Sequence, residues 1–220
     1  MADGDGDDEL AMEMEALSYT YPEIEIEVFE PSNSACTEAG PAAAAAVRID
    51  LRPRAARQAF VAAALRLTAP RGYPAASPPI IELREPRGLG DAREAALLAR
   101  LAAEARDLIG SPCLGQLIEL CQDLLSDANA PEGPCAICLS VMEPGPDDPE
   151  ESSNRDGCTV AAPPALARLP CYHTFHTPCF ERWWAFEQAS CAAQQRELAA
   201  RTGATAAAAL AQAARPNPPS

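Results

Sequence analysis

Tyr73-Pro74-Ala75-Ala76-Ser77-Pro78-Pro79-Ile80-Ile81-Glu82-Leu83 decides the architecture of the first half of the chain. Three prolines in six residues exclude a helix, because each fixes φ and lacks a backbone donor. The chain turns here, and Ile80 to Leu83 then reads as a strand. A strand entered through prolines belongs at a sheet edge. Upstream, Phe60 to Leu67 places Val61, Ala63, Leu65 and Leu67 on one face with a period of two, a further strand. Val47-Arg48-Ile49-Asp50-Leu51 and Ile24-Glu25-Ile26-Glu27-Val28 alternate in the same way.

Helices flank these strands. Residues 8–17 carry Leu10, Met14 and Leu17 at i, i+4 and i+7, a short amphipathic helix that Pro22 keeps from continuing. After Gly90, Asp91 with Glu94 three residues on has the outline of a capping box. The helix it opens lines up Leu97, Leu98, Leu101, Ala105 and Leu108. A second helix lines up Leu114, Leu117, Ile118, Cys121, Leu124 and Leu125. The order is a helix, three or four antiparallel strands, then two helices. That is an α+β domain with helices on one face of a sheet. Its expected bounds are 8–130, behind a disordered acidic tail over 1–7. Cys36, Cys113 and Cys121 fall within it, and Cys121 is expected to pack as a small hydrophobe.

Composition narrows the function. The net charge is −15, and no basic patch stands out. Nucleic acid is therefore not expected as a partner. No run of about 20 apolar residues exists, so no membrane span is expected. The acidic start lacks the basic and apolar regions of a secretory signal, which predicts a cytoplasmic protein, with the nucleus as an alternative. In a reducing compartment its nine cysteines are expected as thiols and metal ligands rather than disulfides. All 17 basic residues are arginine. A genome rich in G and C explains this together with runs such as Ala42 to Ala46. The consequence stands regardless: the chain offers no side-chain ε-amine.

A second motif follows. Cys135-x-x-Cys138 is separated by 32 residues from Cys171-x-His173-x-x-His176-x-x-Cys179, which holds both histidines of the chain. Thiolates and imidazoles at such spacings wrap structural zinc. The expected second domain covers residues 131–200, and 201–220 is a low-complexity tail.

These motifs resemble known families. The helix ending Glu13-Met14-Glu15-Ala16-Leu17 and the turn Tyr73-Pro74-x-x-x-Pro78-Pro79 resemble the marks of an RWD domain. That fold is shared with ubiquitin-conjugating enzymes and usually binds proteins. A conjugating enzyme would carry a His-Pro-Asn segment before its cysteine, and this chain has no histidine before His173. Cys113 is accordingly expected at a helix start and not as a nucleophile. The Cys/His motif resembles a two-histidine RING finger. By that resemblance Cys135, Cys138, His176 and Cys179 form a complete first zinc site, and Cys171 and His173 form half of a second. RWD followed by RING, with Glu85-Pro86-Arg87-Gly88-Leu89 between, resembles the ubiquitin-ligase family typified by RING finger protein twenty-five. Members of that family carry a helical insertion after the sixth ligand. The helix-prone stretch from Glu181 to Leu210 matches it.

The pattern also departs from that family. No C-x-x-C follows Cys179, and no Cys, His or Asp follows Cys191. The expectation is a RING cut within its insertion, with Cys158 and Cys191 as poor substitutes for the missing ligands. A complete RING holds two Zn2+, and this chain is expected to complete one site.

The resemblance implies a mechanism. A RING ligase docks a ubiquitin-charged conjugating enzyme and orients its thioester toward a substrate lysine, acting through proximity and supplying no nucleophile. No catalytic residue is expected. Ile137, between the first two ligands, and Trp183, four residues after Cys179, are the docking contacts it implies. The RWD domain is expected to recruit a protein substrate or adaptor. The alternative is a non-catalytic RWD interaction module with a degenerate or truncated RING.

Overall fold

A computed structural model describes residues 4–28, 43–54, 56, 58–143 and 165–202. The chain divides into two compact units, Met1–Asn129 and Ala130–Ser220.

The first unit opens with α1 (Gly4–Thr20) and a four-stranded sheet of β1 (Glu25–Val28), β2 (Ala43–Leu51), β3 (Ala62–Pro70) and β4 (Ile80–Arg87). The strands lie in sequence order and every pair is antiparallel. Then come α2 (Asp91–Asp107) and α3 (Leu114–Asp127). The register explains the alternation. Ile26 pairs with Val47, Val47 with Leu67 and Leu67 with Ile81, so one apolar row crosses all four strands. The neighbouring row, Glu25, Arg48, Arg66 and Glu82, is charged. Arg48 reaches Glu25 at 3.6 Å, and Arg66 reaches Glu27 at 3.0 Å.

Leu10, Met14 and Leu17 of α1, Leu97, Leu101 and Ala105 of α2, and Leu114, Leu117, Ile118, Cys121 and Leu125 of α3 share one core with the apolar strand residues. Cys121 is fully buried there, and burial pushes its thiol up to about 12.

Several boundaries differ from the sequence reading, among them β3, which runs over Ala62–Pro70 and not from Phe60 to Leu67. Helix α1 begins at Gly4, not at residue 8, and continues to Thr20. An acidic sequence suits the amino end of a helix. Strand β2 starts at Ala43, where the alanine run before Val47 continues the pairing with β3. Strand β4 passes Leu83 and runs to Arg87, as an edge strand. It stops at Gly88, where φ is +68° and a Cβ would lie 2.0 Å from the Phe60 carbonyl oxygen. Only glycine fits both demands. The capping box does not form. Gly90 is the N-cap of α2 and makes no side-chain cap bond, and Asp91 lies inside the first turn. A carboxylate there still meets the positive end of the helix dipole.

In the second unit the described elements are the hairpin β5 (Leu166–Arg168) with β6 (Thr174–His176), and α4 (Thr177–Thr202). Its buried centre is small: Cys135, Met142 and Cys179, with Ile137, Leu166 and Phe175 against them. Among the described residues no helix is long and apolar enough to cross a membrane.

Candidate metal centre

One tight turn, one strand end and one helix start build the site. Around the turn, the Leu139 N–H donates to the Cys135 carbonyl at 2.7 Å, and the Cys135 N–H to the Ser140 carbonyl at 2.9 Å. Pro134 and Val141 pair across its base, and Leu139 takes φ of +61°. This tight turn brings Cys135 and Cys138 together. The third donor, His176, ends β6, and the fourth, Cys179, lies in the first turn of α4. Pro178 suits that turn, where a backbone N–H would have no helical partner.

The ligand atoms of Cys135, Cys138, His176 and Cys179 all lie within 4.8 Å of one another. Sulfurs bound to one tetrahedral zinc at 2.3 Å stand about 3.8 Å apart, so three thiols and an imidazole here fit a single ion. His176 is buried and its tautomer is directed. Its Nε2 lies 3.2 Å from the Val141 carbonyl oxygen, which accepts a hydrogen bond from the ring N–H. Nδ1 is then left bare, 3.3 Å from the Cys138 sulfur. An outer hydrogen bond of this kind orients histidine ligands.

The thiols are prepared as well. The Ser140 backbone N–H pulls the Cys138 thiol down to about 7. Burial opposes ionisation of Cys135, yet the N–H groups of Cys138, His176 and Ile137 hold its thiol below the ordinary value. Burial and the neighbouring Cys138 push Cys179 the other way. A bound cation reverses that, because it favours the thiolate.

Cys171 and His173 lie in the link between β5 and β6, with the Cys171 sulfur 3.2 Å from His173 Nδ1. Tyr172 between them takes φ of +67°, and the Arg168 guanidinium sits 4.2 Å over its ring. Among the described residues, only the first four donors form a group of three or more. Cys191 is twelve residues beyond Cys179 on one continuous helix, about 18 Å along its axis, where Gln195 donates to its sulfur. Cys36 and Cys158 lie outside the described residues.

Ile137 is half-buried against the Cys135 and Cys179 cluster, and Trp183 is 39 % exposed. Trp184 is the less exposed neighbour and stacks on Phe180. Leu139, Val141 and Phe186 are also exposed, a feature the spacing rules did not single out.

In the first unit, Tyr73 is buried and its hydroxyl donates to Glu13 at 2.7 Å while accepting the Cys113 N–H at 2.7 Å. The other Glu13 oxygen accepts the Leu114 N–H, also at 2.7 Å. Tyr73-Pro74 is a cis bond, and the Pro74 carbonyl accepts from the Gly110 N–H. Pro78 is half-buried ahead of β4. Cys113 is buried at the N-cap of α3, and burial raises its thiol pKa. A buried thiol held in its protonated form makes a poor nucleophile. Sequence reasoning missed Glu13 as a site residue. The signal was present, because Glu13 falls at i+3 from Leu10, on the buried stripe of α1.

Comparison with known proteins gives these features a context. The RWD domain family matches residues 8–125. The chain is 32 % identical over 139 residues to E3 ubiquitin-protein ligase RNF25 of Danio rerio, covering 63 % of this chain and 23 % of the relative. It is 33 % identical over 124 residues to the Homo sapiens RNF25, covering 56 % of this chain and 23 % of the relative. The match spans about a quarter of the length of these curated relatives. The solution structure of the RWD domain of mouse GCN2 aligns with a TM-score of 0.46 at 23 % identity, covering 58 % of this chain and 90 % of that one. With its helix, antiparallel four-stranded sheet and two closing helices in place, the chain belongs to the RWD domain family.

Proposed function

We propose that the chain is a zinc-dependent, RING-type ubiquitin-protein ligase module of the cytoplasm or nucleus. Its second unit docks a ubiquitin-charged conjugating enzyme, and its RWD unit recruits a protein substrate or adaptor. The observation that carries this reading is the convergence of Cys135, Cys138, His176 and Cys179 on one ion-sized space. Similarity to proteins named E3 ubiquitin-protein ligase supports it.

The four residues would hold Zn2+, which here supplies rigidity and no bond-making chemistry. Cys171 and His173 would give half of a second site. Ile137 and Trp183 dock the conjugating enzyme, and the exposed Leu139 and Val141 on the same turn as Ile137 widen the apolar contact. Interfaces of this kind rest on a few apolar and aromatic anchors. Holding the charged thioester in reach of an amine lowers the barrier by orientation.

A discharge assay tests this. Conjugating enzyme charged with ubiquitin is mixed with free lysine, with and without the zinc-loaded chain. Faster loss of the thioester with the chain is expected, and Ile137→Ala should abolish the gain while zinc stays bound. No acceleration at full zinc occupancy, across a panel of conjugating enzymes, would favour a non-catalytic RWD interaction module.

A further inference from the structure

The protein is acidic, and its 17 basic residues are all arginine, with no lysine in the sequence. These guanidinium groups are in use. Arg84 pairs with Glu82 at 2.8 Å, Arg87 with Glu85 at 3.3 Å, and Arg100 with Glu104 at 3.1 Å. Arg48 and Arg66 bind acidic residues across the charged face of the sheet. The fold thus keeps its ion pairs without any ε-amine. The two cations differ in reactivity. An ammonium can lose a proton and expose a nucleophilic lone pair, whereas guanidinium stays protonated and delocalised at any working pH.

We infer that these 220 residues accept no ubiquitin themselves. The inference rests on the ligase reading above. In the transfer step an uncharged amine attacks the carbonyl carbon of the thioester. A C–N bond forms, the C–S bond breaks, the electron pair leaves on the conjugating enzyme's sulfur, and the amine proton passes to that thiolate. An arginine side chain cannot take the amine's place. The chain can then sit beside charged thioester through repeated turnovers without being marked.

The experiment is the discharge reaction with the zinc-loaded full chain, read by intact mass. A second protein carries Arg84→Lys, Arg87→Lys, Arg100→Lys and Arg196→Lys together; all four arginines are exposed and the changes preserve charge. Circular dichroism and zinc content check that it folds. The expected result is discharge to free lysine by both proteins, with ubiquitin-sized mass increments on the lysine variant alone. Ubiquitin found anywhere on the unsubstituted chain, its amino terminus and hydroxyls included, would overturn the inference and leave the ligase reading intact. A lysine variant that also stays unmodified would overturn it too, because the missing amines would not be the cause. No discharge to free lysine by either protein would overturn the ligase reading, and this inference with it.

Discussion

The hydroxyl of Tyr73 lies 2.7 Å from a carboxylate oxygen of Glu13, sixty residues away in sequence, and between them the two residues cap the amino end of α3. Neither α1 nor the Tyr-Pro turn is local to that helix, so the contact fixes three separate segments at once. Removing the hydroxyl with Tyr73→Phe leaves the Cys113 N–H without a buried acceptor. We expect a loss of about 1–3 kcal/mol, measured as a shift in the urea midpoint of the first unit. An unchanged midpoint would show that water replaces the hydroxyl.

Glu13 also makes stability depend on pH. Burial raises its carboxyl above the ordinary 4.5, and the hydrogen bonds from Tyr73, Leu114 and Gly115 oppose this without cancelling it. As pH climbs, the unfolded chain therefore ionises this group first. Its contribution is complete below the ordinary carboxyl value and is lost as pH passes through the raised folded value. The stability of the native chain minus that of Glu13→Gln should fall as pH rises from the ordinary carboxyl value of 4.5 through the raised folded value. A flat difference in urea midpoints would exclude the shift.

Gly88 and Gly110 both have positive φ but differ in what surrounds them. A Cβ at Gly88 would meet the Phe60 carbonyl oxygen at 2.0 Å, whereas at Gly110 nothing lies within 4 Å. Gly110→Ala should cost about 1 kcal/mol from backbone strain alone. Gly88→Ala should cost more than about 3 kcal/mol, because backbone must move as well. Thermal melts of the two variants, compared side by side, check the order.

Metal removal should separate the two units. The first has a core drawn from three helices and a sheet, while among its described residues the second buries a small set that includes Cys135, Met142, His176 and Cys179. A unit so small would draw much of its stability from a bound ion. With a strong chelator, hydrogen exchange should speed up across residues 134–143 and 165–202 and stay slow in β3 and α3. Native mass spectrometry of the zinc-loaded chain should show one ion held by the first site, lost in Cys179→Ser. Equal exchange in both units after chelation would mean that metal does not hold the second.

The adjacent tryptophans give a finer test. Trp184 stacks on Phe180 with ring planes 7° apart, and Trp183 is the more exposed of the two. Trp183→Ala should reduce conjugating-enzyme discharge at least tenfold with zinc retained, as loss of an interface anchor does. Trp184→Ala should lower the melting temperature of the second unit instead. The reverse assignment would exchange their roles.

Much of this fold was legible because alternation and helical stripes report burial directly. Ala63, Leu65 and Leu67 proved to line one face of β3, with Val61 buried just ahead of it, and leucines of α2 and α3 proved to join the core. Pairing extended strands past their patterned residues. The alanines before Val47 carry no contrast between faces, and Arg84 to Arg87 point to water, so the start of β2 and the end of β4 could not be read. The α2 cap failed for a related reason, since Gly90 takes the extended cap geometry without a side chain. In the candidate metal centre the spacing offered six donors, and the resemblance to a RING grouped the four that converge. The spacing could not name Val141, which acts through its carbonyl, a group every residue has. Nor could it show that the β5–β6 link sets Cys171 beside His173.

Helix α4 starts at Thr177, so the ligand Cys179 lies in its opening turn, and the helix then continues unbroken to Thr202, about 39 Å in all. An ion held there would be the pivot of a lever. A tilt of a few degrees where His176 and Cys179 would grip it becomes a displacement of several ångströms at the far end, so the tightness of four such bonds would govern where Arg196 and Arg201 can reach.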